Sequence, residues 1–410
     1  MGATQRRSAA PYDPFDAAFQ ADPYPAYAWL RDHEPVHHHP ADVRAPAFWA
    51  LSRFDDVWWA VRSPEVFSSA HGLTFYPDEI SRLGLAPTIV MLDPPRQTAL
   101  RGLIGRGFTP RRVAALEDGI RDFVRSRLAA IRSSVADGEP VDLHRDFAAT
   151  IPTHVLGRLL GVPEADRARF GPWVRALTAL QGDGFSGATL AADGTSAVAE
   201  MFEYFTAVIA ERRAHPQDDL VGALVAAEVD GRRLSDWDIL GFCFVMVAGG
   251  NDTTANLVSH AVALLDGAPE QRELLVADPG LIGDAVVEFL RLEGSVQGLA
   301  RTTTREVTLH GTTIPAGEKV LMLYGAANRD EREFGPTAGE VDVRRQVARH
   351  LGFGSGPHFC IGNHLARLQA RVALEELLAA FPHVAVDLGR AERHQSAFVR
   401  GWRSLPATLT

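Results

Sequence analysis

The ten residues from 353 to 362 constrain this 410-residue chain more than any other stretch. They read Phe-Gly-Ser-Gly-Pro-His-Phe-Cys-Ile-Gly and contain Cys360, one of only two cysteines. Three glycines and a proline predict an irregular loop that another group can approach closely. Apolar residues then recur four, three and four positions apart, from Ile361 to Val372, which predicts an amphipathic helix. Cys360 is therefore expected where a tight loop meets the start of a helix.

This position predicts a reactive sulfur atom. The free N–H groups and the dipole at a helix start favour a thiolate over a thiol. A thiolate in a glycine-rich loop is a good ligand for a soft metal or a haem iron. The alternative for a lone cysteine in a turn is a buried, chemically inert side chain. The second cysteine, Cys243, lies in an apolar helical pattern and is interpreted as a core residue.

The pattern Phe-Gly-x-Gly-x-His-x-Cys-x-Gly resembles the haem-binding loop of the cytochromes P-450. Its ten ordered positions make the match specific. The resemblance implies heme b (iron-protoporphyrin IX) as the cofactor, with Cys360 as the axial thiolate ligand of the iron. It also implies that Phe353, Gly354, His358 and Gly362 lie against the porphyrin.

Residues 235–266 form the longest helical pattern of the chain. Ser235 and Asp238 make a capping pair at its start, and the helix would span roughly 45 Å. Its apolar run is too short to cross a bilayer, so the helix is predicted to be buried. Its middle is a poor helix former and reads Gly249-Gly250-Asn251-Asp252-Thr253-Thr254.

The run 249–254 has two interpretations. Glycines, with a threonine hydroxyl that bonds back to a carbonyl, open a groove in a helix, and an acid beside a hydroxyl suits proton delivery. A kinked packing site is the alternative. The run resembles the oxygen-binding motif of the cytochromes P-450. The resemblance implies that Asp252 and Thr253 deliver protons to dioxygen, for which Gly249 and Gly250 make room.

Further motifs occur in the order that the family shows. Glu288-x-x-Arg291 alone would indicate an ordinary surface pair. With Arg345, the resemblance implies a structural triad that holds the cysteine loop. The departure is Val341, where the family usually has phenylalanine.

Haem propionates need cationic or hydrogen-bonding partners. Residues 93–101 resemble the family's propionate-binding helix, with Gln97 in place of the usual histidine, so that contact would be neutral. The resemblance assigns the remaining contacts to Arg101, Arg301 and His358. Without the other motifs, both arginines would be interpreted as solvated charges.

The resemblance also places the walls of an apolar substrate pocket at Phe75, Ala248, Val296 and Phe398. The alternative for Phe75 and Phe398 is a role as core aromatics. Residues 180–196 are rich in Gly, Ala, Asp and Ser and are interpreted as a lid rather than a plain surface connection.

The whole pattern predicts a mainly α fold with small β-sheets, with haem between a long central helix and the cysteine loop and its helix. No linker or repeat divides the chain, so a single cytochrome P-450 domain over residues 1–410 is expected. A net charge of -10 argues against nucleic-acid binding. Without an apolar signal or anchor segment at the N-terminus, and with only two cysteines, a cytoplasmic protein and a monomer are expected.

These motifs predict a haem–thiolate monooxygenase of the soluble actinobacterial type. It would use dioxygen and two electrons to hydroxylate or oxidatively dealkylate a small lipophilic substrate. One alternative is a peroxygenase of the same fold, against which the Asp252–Thr253 pair argues. The other is a non-catalytic haem sensor or substrate-recruiting module.

Arginines near the cysteine loop predict the electron donor. They are expected to dock an acidic iron–sulfur ferredoxin, which a ferredoxin reductase would supply with electrons. The alternative is that some are used internally and the rest are scattered solvated charges. The arginines are Arg96, Arg101, Arg106, Arg111, Arg112, Arg344, Arg345, Arg349, Arg367 and Arg371.

Overall fold

Helices dominate the computed structural model, which describes residues 12–77, 79, 87–136, 141–174, 176, 194–229 and 232–410. The longer helices carry the core, and the short ones connect strands or follow them. In chain order they are α1 (Ala17–Ala21), α2 (Tyr24–His33), α3 (Phe54–Ala60), α4 (Arg96–Gly105), α5 (Pro110–Ala114), α6 (Glu117–Ala136), α7 (Thr150–Leu159), α8 (Gly194–Ala214), α9 (Leu220–Ala226), α10 (Asp236–Gly250), α11 (Asp252–Asp266), α12 (Pro269–Ala277), α13 (Ile282–Leu292), α14 (Tyr324–Ala327), α15 (Glu331–Phe334) and α16 (Asn363–Ala380). A π-helix, Leu143–Ala148, precedes α7.

The strands form one five-stranded sheet and several smaller ones. They are β1 (Val36–His39), β2 (Phe48–Leu51), β3 (Phe67–Ser68), β4 (Val141–Asp142), β5 (Glu228–Val229), β6 (Arg232–Arg233), β7 (Gly298–Thr303), β8 (Val307–Leu309), β9 (Thr312–Ile314), β10 (Lys319–Leu323), β11 (Val384–Val386), β12 (Glu392–Arg393), β13 (Trp402–Ser404) and β14 (Pro406–Leu409). The larger sheet has the order β1-β2-β10-β7-β3, with only the β2–β10 pair parallel. The mainly helical fold with small sheets that the sequence predicts is confirmed.

The predicted central helix is two helices, because the backbone is broken at Asn251 between α10 and α11. The capping box at its start is confirmed: Ser235 and Asp238 each accept a hydrogen bond from the other's backbone N–H. At the break, Thr253 Oγ1 donates to the carbonyl of Gly249 at 2.6 Å and Thr254 Oγ1 to that of Gly250 at 3.0 Å. These hydroxyls satisfy carbonyls near the end of α10. The disturbance that the poor helix formers predict in the middle of this helix is therefore present.

Helix α11 lies at the centre of the hydrophobic core. It packs against α7, the π-helix, α13 and α16, and Leu257, Val258 and Ala261 on it are almost completely buried. Burying one such leucine or valine contributes about 1.5–3 kcal/mol, so packing fixes α11 although its first turn contains poor helix formers. Among the described residues, no helix is long and apolar enough to cross a membrane.

Candidate active site

A cavity, here called the central cavity, lies between the α10–α11 break and the loop that precedes α16. Gly249, Gly250 and Thr253 line it on one side, and Phe353 and Cys360 on the other. A Cβ atom built on Gly249 would meet no atom within 4 Å, so the space beside this residue is open. The fold therefore brings together two motifs that are about a hundred positions apart in the sequence.

The backbone of the cysteine loop requires glycine at two positions. Gly354 and Gly356 have φ angles of 67° and 68°, which a residue with a side chain rarely adopts. At Gly356 an added Cβ would also lie 2.7 Å from the carbonyl oxygen of Val61. The amide of Cys360 donates to the carbonyl of Phe353 at 2.9 Å, which closes the loop.

Burial and two neighbouring groups act on the Cys360 sulfur in opposite directions. Burial raises the pKa of the thiol, and the smaller opposing effects of the Gly362 backbone N–H and of Arg101 do not reverse it. Helix α16 begins at Asn363, three residues after Cys360, so the sulfur lies where the loop meets the helix start, as predicted. A metal ion at the sulfur would supply the missing positive charge, because metals bind the deprotonated ligand.

Two arginines face the central cavity without a counter-charge. Arg101 on α4 and Arg301 on β7 both line it, and Arg301 is only 4% exposed. Burial lowers the pKa of Arg101, and Arg301 Nη1 donates only to the carbonyl of Ala300, at 2.7 Å. Within the described chain neither forms an ion pair with a carboxylate. Because unpaired buried charges are costly, a ligand that brings two carboxylates, such as haem, fits this site.

His358 and Gln97, which the resemblance assigns to the propionates, also make contacts within the protein. Burial lowers the pKa of His358 to about 4, and its ring interacts with Ser69 Oγ, 3.1 Å from Nε2, and with the backbone of Leu92. Gln97 is 1% exposed, and its Nε2 donates to the carbonyl of Pro357 at 2.6 Å. Both side chains line the cavity, yet their polar atoms hold the loop.

The three residues of the expected triad meet in the interior. Glu288 and Arg291 are fully buried and joined by two hydrogen bonds of 2.7 Å. Arg345 Nε donates to Glu288 Oε1 at 3.0 Å, and its other nitrogens donate to Phe334 and Thr337. Arg291 Nη1 also donates to the carbonyls of Asn328 and Ala338. This pair is therefore not a surface pair.

The two residues expected to deliver protons open onto different cavities. Thr253 lines the central cavity, whereas Asp252 lines a second space, here called the lateral cavity. Burial raises the pKa of Asp252 to about 6, against the lowering effect of Asn256, whose Nδ2 donates to Oδ2 at 3.0 Å. The carboxyl group can therefore exchange a proton near neutral pH.

Of the four predicted pocket walls, only Val296 is among the described lining residues. Phe75 and Phe398 pack on each other with ring centroids 4.7 Å apart, and both are at least 97% buried as core aromatics. Ala248 is half-buried and packs against the hydrophobic core. Phe75 and Phe398 therefore take the alternative role as core aromatics, and the place of Ala248 in the substrate pocket stays a prediction.

Sequence reasoning missed the apolar wall that α10 presents. Phe242, Val245 and Met246 line the central cavity and precede Gly249 by seven, four and three positions. That helical spacing from the oxygen-binding motif could have identified them. The predicted lid, residues 180–196, lies almost entirely outside the described residues.

Comparisons with known proteins agree with this geometry. The family model described as "Cytochrome P450" matches residues 281–401. The chain is 45% identical over 394 residues to "Cytochrome P450 130" of Mycobacterium tuberculosis, covering 95% of both chains. It is 37% identical to "Vitamin D(3) 25-hydroxylase" of Pseudonocardia autotrophica, covering 97% and 96%. The solved structure of a Mycobacterium marinum cytochrome P450 in complex with pseudoionone matches with a TM-score of 0.87 at 35% identity, over 98% of this chain and 100% of that one.

Proposed function

Because the chain belongs to the cytochrome P450 family, it is a haem–thiolate monooxygenase, and we propose that it hydroxylates or oxidatively dealkylates a small lipophilic compound. One observation carries this proposal. The central cavity has an apolar wall on α10, and Cys360, Arg101 and Arg301 also line it, the two arginines without a carboxylate partner in the described chain. Such a cavity suits a planar, dianionic cofactor below an uncharged substrate.

The residues that would hold haem follow from this arrangement. Cys360 would supply the thiolate ligand of the iron, and Arg101 and Arg301 would bind the two propionates. Phe353, Gly354 and Gly362 form the surface against which the porphyrin lies. When bound, haem supplies the activation of dioxygen and the transfer of one oxygen atom.

Thr253 and Gly249 define the oxygen side of the cavity. The Thr253 hydroxyl donates to the Gly249 carbonyl, so it is held beside the open space at Gly249. We assign Thr253 Oγ1 the role of holding and passing a proton there, with Asp252 replacing the proton that it gives up. Removing the hydroxyl in Thr253→Ala should leave haem and substrate binding intact while NADH oxidation yields peroxide in place of product. Equal product per NADH in mutant and parent would contradict this role.

The substrate class follows from the apolar side chains that line the central cavity. Phe242, Met246 and Val296 offer hydrocarbon surface, and a polar substrate would lose its water there without replacement hydrogen bonds. One similar protein is named a vitamin D(3) 25-hydroxylase, and another was solved in complex with pseudoionone; both compounds are mostly hydrocarbon. We infer a substrate of this kind for this chain.

The electron donor is inferred from the arginines that stay exposed. Arg96, Arg345, Arg349 and Arg371 pair with carboxylates, and Arg101 lines the central cavity. Arg111, Arg112, Arg344 and Arg367 are exposed and form no ion pair within the described chain. The side chain of Arg106 lies outside the described residues.

Arg345, Arg349 and Arg367 border a groove beside the cysteine loop, here called the arginine groove. It is lined by Trp58, Arg345, Arg349, Phe359 and Arg367, and α5, which carries Arg111 and Arg112, packs on α16. An acidic ferredoxin bound in this groove would lie next to the cysteine loop, through which electrons would reach the haem.

Reconstitution tests the proposed function. Purified protein with haem should be screened with lipophilic compounds for a change of haem spin state, and each binder incubated with NADH, a ferredoxin reductase and an acidic ferredoxin. We expect a product one oxygen atom heavier, or dealkylated. Val296→Ala should change the position of oxidation, whereas Val276→Ala, at an exposed site, should not. Equal product formation with hydrogen peroxide alone would indicate a peroxygenase, and binding without any product would indicate a sensor.

A further inference from the structure

The lateral cavity has the size of a ligand-binding site. Its volume is about 1080 Å³, and pockets that bind small molecules usually enclose about 300–1,000 Å³. Its walls come from α6, the π-helix, α7, the 3-10 helix Glu164–Arg169, the first turn of α11 and the strands β12 and β13. None of the described residues that line it also lines the central cavity. It is therefore separate from the space that haem and substrate would occupy.

Two half-buried arginines face this cavity without a counter-charge. Arg127 on α6 and Arg167 on the 3-10 helix both line it. Arg127 Nη2 donates to the carbonyl of Asp146 at 2.5 Å, and Arg167 Nε donates to that of Val162 at 3.2 Å. Within the described chain neither guanidinium group forms an ion pair, and Nη1 of Arg127 and both Nη atoms of Arg167 have no acceptor there. Such charges indicate an anionic ligand, because burying a charge without a partner is costly.

Two deeply buried polar side chains also line the cavity. They are Asn251, which is 4% exposed, and His144, which is 6% exposed. Thr153 Oγ1 donates to Asn251 Oδ1 at 3.1 Å, and the amide nitrogen Nδ2 has no acceptor in the described chain. His144 Nδ1 lies 3.0 Å from Ser259 Oγ, and its Nε2, which carries the ring hydrogen when the Ser259 hydroxyl donates to Nδ1, has no partner among the described residues. Because buried polar groups are normally hydrogen-bonded, these nitrogens indicate a ligand with hydrogen-bond acceptors.

The acidic groups of the cavity do not neutralise the two half-buried arginines. Asp252 accepts a hydrogen bond from Asn256 Nδ2 at 3.0 Å and lies 3.9 Å from His394 Nε2, so its carboxyl group is directed to other residues. Burial lowers the pKa of His144 and of His394 to about 4, so both rings are neutral at pH 7. The exposed charges that line the cavity cancel, since there are two of each sign: Arg145, Arg403, Glu164 and Glu392. The buried part therefore has a positive net charge.

A flat carbon surface adjoins the two arginines. Phe123 and His154 stack with ring centroids 4.0 Å apart, and both line the cavity. Arg127 follows Phe123 by about one helical turn on α6. Burial and, next to it, the charge of Arg167 lower the pKa of His154, so Arg167 lies near this ring. The stacked rings and the two cationic groups together suit a ligand that has an anionic end and a carbon skeleton.

We propose that the lateral cavity binds an organic oxyanion, either a carboxylate or a phosphate. Arg127 and Arg167 would hold its charged end, the amide of Asn251 would donate a further hydrogen bond, and Phe123 and His154 would contact its carbon skeleton. Such a ligand would join α6 and α11 to the 3-10 helix and would stabilise the folded protein as its concentration rises. The proposal goes beyond the monooxygenase function and does not depend on it.

Calorimetric titration of the haem protein at low ionic strength is the first test. The probes are phthalate and phenyl phosphate, two aromatic anions that differ in their oxyanion. We expect saturable binding of at least one of them, and their relative affinities show whether the cavity prefers a carboxylate or a phosphate. Dimethyl phthalate and phenol, which lack the charge, should bind about tenfold more weakly or less. Failure of both anions to bind, or equal affinity for the charged and uncharged compounds, would overturn the proposal.

Two variants test the charged end of the site. Arg127→Met and Arg167→Met keep the apolar stem but remove the guanidinium group, and each should weaken anion binding by about tenfold or more. Arg158→Met is the matched control, because Arg158 is an exposed arginine of α7 that is not among the described lining residues. Its affinity should stay within about twofold of the parent. Parent-like affinity in both Arg127→Met and Arg167→Met, or an equal loss in Arg158→Met, would contradict the proposed site.

A crystal structure of the haem protein with a brominated probe locates the site without any variant. The probes are 4-bromophthalate and 4-bromophenyl phosphate, and we expect the anomalous signal of bromine in the lateral cavity. A signal only in the central cavity or in the arginine groove would show that the anion binds elsewhere and would refute the proposal. Neither calorimetry nor crystallography uses a substrate or an electron donor, so their outcome is independent of the proposed monooxygenase function.

Discussion

Gln97 Nε2 donates a hydrogen bond of 2.6 Å to the carbonyl oxygen of Pro357, three residues before Cys360. Gln97 is 1% exposed and lies on α4, the helix that carries Arg101. The residue that departs from the family pattern thus joins the helix that carries Arg101 to the cysteine loop. This contact gives glutamine a structural role at the position where the family usually has histidine.

Replacing Gln97 should therefore loosen haem binding. Gln97→Met keeps the length of the side chain but removes the donor, and an unsatisfied buried carbonyl costs about 1–3 kcal/mol. We expect faster transfer of haem to apomyoglobin and a lower melting temperature. Gln346→Met is the control, because Gln346 is exposed and makes one long hydrogen bond of 3.4 Å. Haem loss at the parent's rate would show that Gln97 does not hold the loop.

Cys360 should determine the spectrum of the haem protein. Reduced parent protein under carbon monoxide is expected to show the red-shifted Soret band typical of a thiolate ligand. Cys360→Ser and Cys360→Ala should lose this band, since neither supplies a thiolate. Cys243→Ser, which changes the other cysteine, should keep it. Retention of the band in Cys360→Ala would refute the assignment of the whole site.

The sequence predicted those parts of the site that local backbone chemistry or spacing determines. The glycines around Cys360 indicated a tight loop, and the poor helix formers near Asn251 indicated a disturbed helix; both features are present. It did not predict the pKa of Cys360, because burial depends on distant residues. It left the role of Phe75 and Phe398 open for the same reason, since their stacking joins parts of the chain more than 300 positions apart.

The buried Glu288–Arg291 pair should contribute strongly to the free energy of unfolding of the protein. Arg291→Met would leave the Glu288 carboxylate with only Arg345 and the Asp342 amide, at 3.0 and 3.4 Å, and would leave two carbonyls unpaired. Breaking a buried pair costs roughly 3–5 kcal/mol. We expect that loss in urea unfolding, together with reduced haem content.

Arg213→Met provides the comparison for that loss. Arg213 pairs with Asp236 at the surface, and its side chain is 48% exposed. Exposed pairs contribute about 0–1 kcal/mol, so this variant should unfold almost as the parent does. Equal losses of unfolding free energy in the two variants would mean that the buried Glu288–Arg291 pair contributes no more to stability than an exposed pair does.

Docking of the electron donor should depend on salt and on two exposed arginines. Arg367 borders the arginine groove, and Arg112 lies on α5, which packs on α16. Exposed charges are screened over about 10 Å at 0.1 M ionic strength, and such charges act mainly on the association rate. The first electron transfer from an acidic ferredoxin should therefore slow as salt rises.

Charge reversal in Arg112→Glu and Arg367→Glu should slow that transfer further, by about tenfold or more at low salt if association is steered. Arg106→Glu should act in the same way if its side chain belongs to the same surface. Arg305→Glu, in the exposed turn between β7 and β8, applies the same charge change away from the groove and should have little effect. The spin-state titration with substrate should be identical in the Arg112, Arg367 and Arg305 variants, because none of these three arginines is among the described residues that line the central cavity. A transfer rate that changes neither with salt nor in the Arg112→Glu and Arg367→Glu variants would show that the donor binds on another surface.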